Sequence, residues 1–101
     1  MTTATKKKYR HLAERFDDPR PHYKAIPRDT LASLKRYTCE RIPTGGALRA
    51  VLSNDLFVAT RRLDEENMAA LKPICQFVWN ELPSEVWGSP EKVDAWLRRT
   101  E

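Results

Sequence analysis

The chain has two cysteines, two histidines and three glycines in 101 residues, and no apolar run long enough to span a bilayer. Each shortage excludes something. Two cysteines, Cys39 and Cys75, cannot build a disulfide framework, and neither belongs to a Cys-x-x-Cys pair. A zinc site needs about four ligands, usually in two close pairs, and that spacing is missing, so no metal and no cofactor is expected. A membrane helix needs about 18 or more apolar residues in a row. The amino terminus opens Met1-Thr2-Thr3-Ala4-Thr5-Lys6-Lys7-Lys8 with no apolar stretch behind the lysines, unlike a secretory signal. The expected setting is therefore cytoplasmic, with no membrane partner. The few glycines and seven prolines also exclude collagen-like and low-complexity chains.

What is present is charge, unevenly placed. Residues 1–28 carry eight Lys/Arg and three Asp/Glu, whereas residues 29–101 carry ten and eleven. The basic pI of the chain thus belongs to its first 28 residues. That stretch holds three prolines and scattered apolar side chains, too few to offset the entropy of ordering it. It reads as a basic, partly disordered arm (1–28) ahead of a helical domain (29–101). Residues 8–16 could form a short helix, since Tyr9, Leu12, Ala13 and Phe16 share a face.

In the rest, apolar residues recur at helical spacing. The pattern predicts helices over 29–42, 47–60 and 65–82, and a last helix opening at Ser89-Pro90-Glu91. Asp29, Thr44, Asp64 and Ser89 are the capping candidates. Asn54-Asp55 could break the second helix, and Pro73 should kink the third or open a new one after Leu71-Lys72. Leu56–Thr60 is the one stretch that could pass for a strand. The expected fold is all-α, a single-domain bundle of about four helices, with Trp79, Trp87 and Trp96 carrying much of the burial. Cys39 and Cys75 read as small buried hydrophobes.

Catalysis has little to stand on. His11 and His22 both lie in the arm, away from any cysteine held beside a base. Asp64-Glu65-Glu66 is a helix start. Thr44-Gly45-Gly46 lacks the lysine of a phosphate loop. The chain is therefore expected to bind rather than catalyse. The contact candidates are Thr44, Gly45 and Gly46 at the turn, Arg61, Arg62 and Glu65 in a mixed charge cluster, and Trp87 in a connector; Trp and Arg are enriched at interface hot spots. An alternative is nucleic-acid binding, with 29–56 as a helix-turn-helix. Arg49, Ser53 and Asn54 would then be exposed towards base edges, and Lys6, Lys7, Lys8 and Arg10 would hold phosphates. Whether the chain pairs with a second copy stays open.

Three segments share a further likeness: Ile42-Pro43-Thr44-Gly45-Gly46-Ala47-Leu48-Arg49-Ala50-Val51-Leu52-Ser53-Asn54-Asp55-Leu56, Asp64-Glu65-Glu66-Asn67-Met68, and Trp87-Gly88-Ser89-Pro90-Glu91-Lys92-Val93-Asp94-Ala95-Trp96-Leu97. In this order they resemble a group of small phage- and prophage-encoded proteins, over residues 29–98. That group has no assigned activity, so the resemblance implies a context and no catalytic residue. The context is that of phage accessory proteins that bind host or phage proteins, including inhibitors of host defence such as anti-CRISPR proteins.

Overall fold

The computed structural model describes residues 8–99, and every regular element among them is helical. The α-helices are α1 (Ala13–Asp17), α2 (Arg28–Glu40), α3 (Gly46–Leu52), α4 (Leu56–Arg62), α5 (Glu65–Ala69), α6 (Leu71–Glu81) and α7 (Pro90–Arg98). Three 3₁₀ turns, Arg10–Leu12, Pro21–Tyr23 and Ser84–Val86, complete the order. The all-α reading holds, and the count of about four helices is corrected upward because two of the expected helices are each broken in two.

The first break has a defined chemistry. Asn54 takes a left-handed conformation at φ 62°, which Asn tolerates better than most residues. Its N–H bonds the Val51 carbonyl at 3.1 Å, and the Asp55 N–H reaches back to Ala50 at 2.8 Å. This is a Schellman closure that uses up the last carbonyls of α3. Asp55 then caps α4 by accepting from the Val58 N–H at 3.2 Å. The strand-like stretch 56–60 is thereby helix.

The second break falls at Ala70, one residue before the expected position. Pro73 becomes the third residue of α6, where a backbone N–H would have no intrahelical partner, and so the proline causes no kink. α2 also ends earlier than Pro43 requires. Arg41 turns left-handed at φ 59°, and the Ile42 N–H closes onto the Arg36 carbonyl at 3.2 Å. Ile42 leaves the apolar stripe and becomes exposed. The last helix starts as its sequence dictates, with Ser89 Oγ accepting from the Lys92 N–H at 3.1 Å and Pro90 in the first turn.

The main core joins α2 (Leu31, Leu34, Tyr37), α6 (Ile74, Phe77, Val78) and α7 (Val93, Trp96) with Leu52, Leu82 and Val86. Leu12, Phe16, Tyr23 and Ile26 belong to the same core. The expected flexible arm is corrected here: its residues 8–28 pack onto the domain, whereas residues 1–7, including Lys6 and Lys7, lie outside the described residues. Phe16 and Tyr23 set their rings 5.4 and 5.0 Å from Phe77, and Tyr9 lies 5.3 Å from Trp96. The basic side chains of this segment meet acids of the domain. Lys8 pairs with Glu85 at 3.1 Å, Arg10 with Glu40 at 3.6 Å, and Arg15 and Arg20 approach Glu81. In return Asp17 takes Lys35 at 2.8 Å.

A smaller cluster of Ala50, Ala59 and Leu63 closes α3 on α4, with Ala47, Val51, Val58 and Leu71 at its edge. Small side chains let these two short helices approach closely. Gly88 (φ 121°) needs the freedom that only glycine has at this angle. There its N–H reaches the Leu52 carbonyl at 2.7 Å and ties the last connector to the end of α3.

Candidate interaction surface

The turn 43–46, helix α4 and the junction at Leu63-Asp64 form one side of the molecule. Gly45 caps α3 without a side chain, and Gly46 opens the helix. The guanidinium of Arg62 lies over Gly46, where an added Cβ would stand 2.5 Å from Arg62 Nη1. Four of the residues singled out at this turn and charge cluster (Thr44, Gly45, Gly46, Arg62) are thus brought together. Arg61, Glu65 and Glu66 are exposed beside them. Asp64 accepts from the Asn67 N–H at 2.8 Å and from its side-chain amide at 2.9 Å, and these bonds hold its carboxyl below the usual carboxylate range.

Two residues on this side were not foreseen as contacts. Phe57 is 83 % exposed and Leu56 is 61 % exposed. In an unbroken helix Leu56 would continue the stripe of Leu48 and Leu52. The break at Asn54 re-aims α4, so that Ala59 and Leu63 face the core and Leu56 and Phe57 face outward. The signal available in the sequence was Asn54-Asp55 directly ahead of two bulky apolar residues.

Trp87 lies elsewhere. It is half-buried against the main core and donates its Nε1–H to the Leu82 carbonyl at 3.3 Å. Its outer face carries Trp79, 5.3 Å away between ring centroids. Trp79 is 72 % exposed, which corrects the expectation that it fills the core. Cys75, one turn earlier on α6, is exposed as well, while Cys39 is buried as expected. Burial pushes the Cys39 thiol upward, and neighbouring Glu40 adds to the shift, so the thiolate is disfavoured. Among the described residues no group of three or more His, Cys, Asp or Glu is placed to hold a metal ion. No helix among them is long and apolar enough to cross a membrane.

The residues of the nucleic-acid reading are placed differently from expectation. Arg49 is half-buried and its guanidinium is bonded to the Asp94 carboxylate. Ser53 is buried, so it is not an exposed polar residue of α3. Asn54 is exposed but serves the helix break. Lys8 and Arg10 are engaged with Glu85 and Glu40.

Glu85 gathers the two ends of the chain. It accepts from the Tyr9 hydroxyl, pairs with Lys8 and meets Arg99 at 3.2 Å. The Tyr9 hydrogen bond, followed by Lys8 and Arg99, holds its carboxyl below the ordinary 4.5. A carboxyl depressed in the folded state adds stability above its unfolded value and loses it as pH falls through the folded value. The expected result is an acid limb of unfolding that begins below about pH 4.5. Glu85→Gln should flatten that limb, as read by urea midpoints at several pH values. An unchanged slope would place the acid sensitivity on another carboxylate.

Comparison with protein-family models, with curated proteins and with solved structures finds no match to this chain. The functional reading therefore rests on the residues themselves.

Proposed function

We propose that this chain is a non-enzymatic protein-interaction module whose contact face is centred on α4. The observation that carries this reading is the outward pair Leu56 and Phe57. Exposed side chains of this size cost solvation and are little covered by the described residues, whereas a ring buried in a partner's pocket supplies much of an interface's energy. Arg61 lies one turn after Phe57 on α4, and with Glu65 at the start of α5 it would set orientation through a polar rim, while Thr44, Gly45, Gly46 and Arg62 extend the face to the turn. Trp79, stacked on Trp87, offers a second anchor on another side. The resemblance to phage and prophage proteins makes the partner a host or phage protein. The role is then modulation or inhibition of a host system, for example as an anti-defence or anti-CRISPR protein acting in the host cytoplasm.

Nucleic-acid binding has less support, because Arg49, Lys8 and Arg10 already meet carboxylates and Ser53 is buried. The test is capture from host lysate with a tagged chain, with and without nuclease, comparing the wild type with Phe57→Ser. A specific protein should stay bound after nuclease treatment and be lost with Phe57→Ser. The variant's stability should stay within about 0.5 kcal/mol, as for other exposed positions. Material that disappears with nuclease, or a partner indifferent to Phe57→Ser, would overturn the reading.

A further inference from the structure

The polar cleft between the N-terminal segment and α6 is a different feature, unused by the proposed interface. It holds about 630 Å³, and its charged lining is Glu14, Asp18 and Glu81 with Arg15 and Arg20, beside Tyr23 and Asn80. At its floor sits Glu81, only 8 % exposed. An ionised carboxylate has about four acceptor positions, and a buried one normally fills them with bonds of about 2.7–2.9 Å. Glu81 is far from that. Its nearest donors are the Tyr23 hydroxyl at 3.4 Å, Arg15 Nη1 at 3.9 Å and Arg20 Nε at 4.0 Å. Asn80 Nδ2 donates to the Tyr23 oxygen at 3.0 Å, which leaves the hydroxyl proton aimed at Glu81. A mostly buried carboxylate bonded this loosely leaves room for a further donor.

Two guanidinium groups share this lining with the carboxylates. Arg15 spends one N–H on the Glu81 carbonyl at 3.0 Å. The Arg20 side chain is 73 % exposed and makes no hydrogen bond among the described residues, so its guanidinium fork is open. Such a fork matches a carboxylate in bidentate fashion. A simple anion at this place would meet Glu81, and a simple cation would meet two guanidinium groups. A molecule with both signs a few ångströms apart satisfies both ends.

We infer that this cleft binds a free α-amino acid, with its ammonium on Glu81 and its carboxylate on Arg20. The neutral surface of Pro19 borders the space left for a side chain. The experiment is an NMR titration of the full chain with each free L-amino acid at millimolar concentration, following the Asn80 side-chain amide and the Arg20 Nε–H. At least one amino acid should shift both signals saturably. Its N-acetylated and C-amidated forms should each bind at least tenfold more weakly. Arg20→Gln should lose the same factor at an unchanged thermal midpoint, and it serves where Glu81→Gln fails to fold. The inference falls if no amino acid shifts these signals, if blocked derivatives bind equally well, or if acetate or methylammonium alone reproduces the shifts.

Discussion

Trp96→Ala is expected to remove about 3–5 kcal/mol, the range for truncating a buried large aromatic. Trp96 is among the largest fully buried side chains. Its Nε1–H donates to the Tyr37 carbonyl at 2.8 Å, and Tyr37 in turn donates its hydroxyl to the Val86 carbonyl at 2.6 Å. Arg41 and Arg99 lie over the indole at 4.7 and 5.5 Å from its centroid, and Tyr9 packs beside it. The truncation leaves a cavity, removes a buried donor and strips both guanidinium groups of their ring. Domains of this size are stable by only about 5–15 kcal/mol. The variant should therefore melt at least about 10 °C lower than the wild type, as read by near-ultraviolet circular dichroism. Trp96→Phe should recover much of the loss, because it restores the volume without the donor. A melting temperature within a few degrees of wild type for Trp96→Ala would show that this contact set does not hold the core.

Phe16→Ala is expected to cost a similar amount, about 3–5 kcal/mol. The position makes this prediction sharp. Phe16 lies in the segment whose composition reads as a flexible basic arm, and in such an arm the same change would move stability by less than about 0.5 kcal/mol. In the fold its ring is buried against Phe77 and seals one edge of the core. Urea unfolding of the two proteins decides between these values. A drop in midpoint at constant slope would show lost packing, whereas a lower slope would show that less of the chain folds cooperatively.

That segment also shows where composition misleads. Its face of Tyr9, Leu12, Ala13 and Phe16 was visible in the sequence. So was its excess of positive charge. What could not be seen is that Glu40, Glu81 and Glu85 lie opposite these cations. Summing charge by segment separates partners that folding unites. Local chemistry was more legible. Ser89-Pro90-Glu91 and Asp64-Glu65-Glu66 start helices by satisfying backbone N–H groups within one turn, and both do so as expected. Of the candidate face, the glycine turn and Arg62 were legible as polar, mobile chemistry, and the structure sets them in contact. Phe57 and Trp79 were not, because periodicity reveals which residues share a face and not whether anything packs against it. The direction of α4 follows from the left-handed Asn54, a single residue whose conformation no stripe encodes.

The bond from Tyr9 to Glu85 spans 76 positions, and the ring contact of Tyr9 with Trp96 spans still more of the chain. On a ribosome the first twenty residues leave the tunnel with none of these partners yet made. Phe16 and Tyr23 wait for Phe77, Lys8 waits for Glu85, and Tyr9 waits for Trp96 in the last turn of α7. A helical chain built from neighbours in sequence could settle as it emerges, but this one closes only after Glu85 and Trp96 have emerged. Loop closure over such lengths should make it fold more slowly than its helix content suggests. During synthesis residues 8–28 are a cationic stretch with exposed apolar side chains, open to whatever acidic surface or chaperone they meet first.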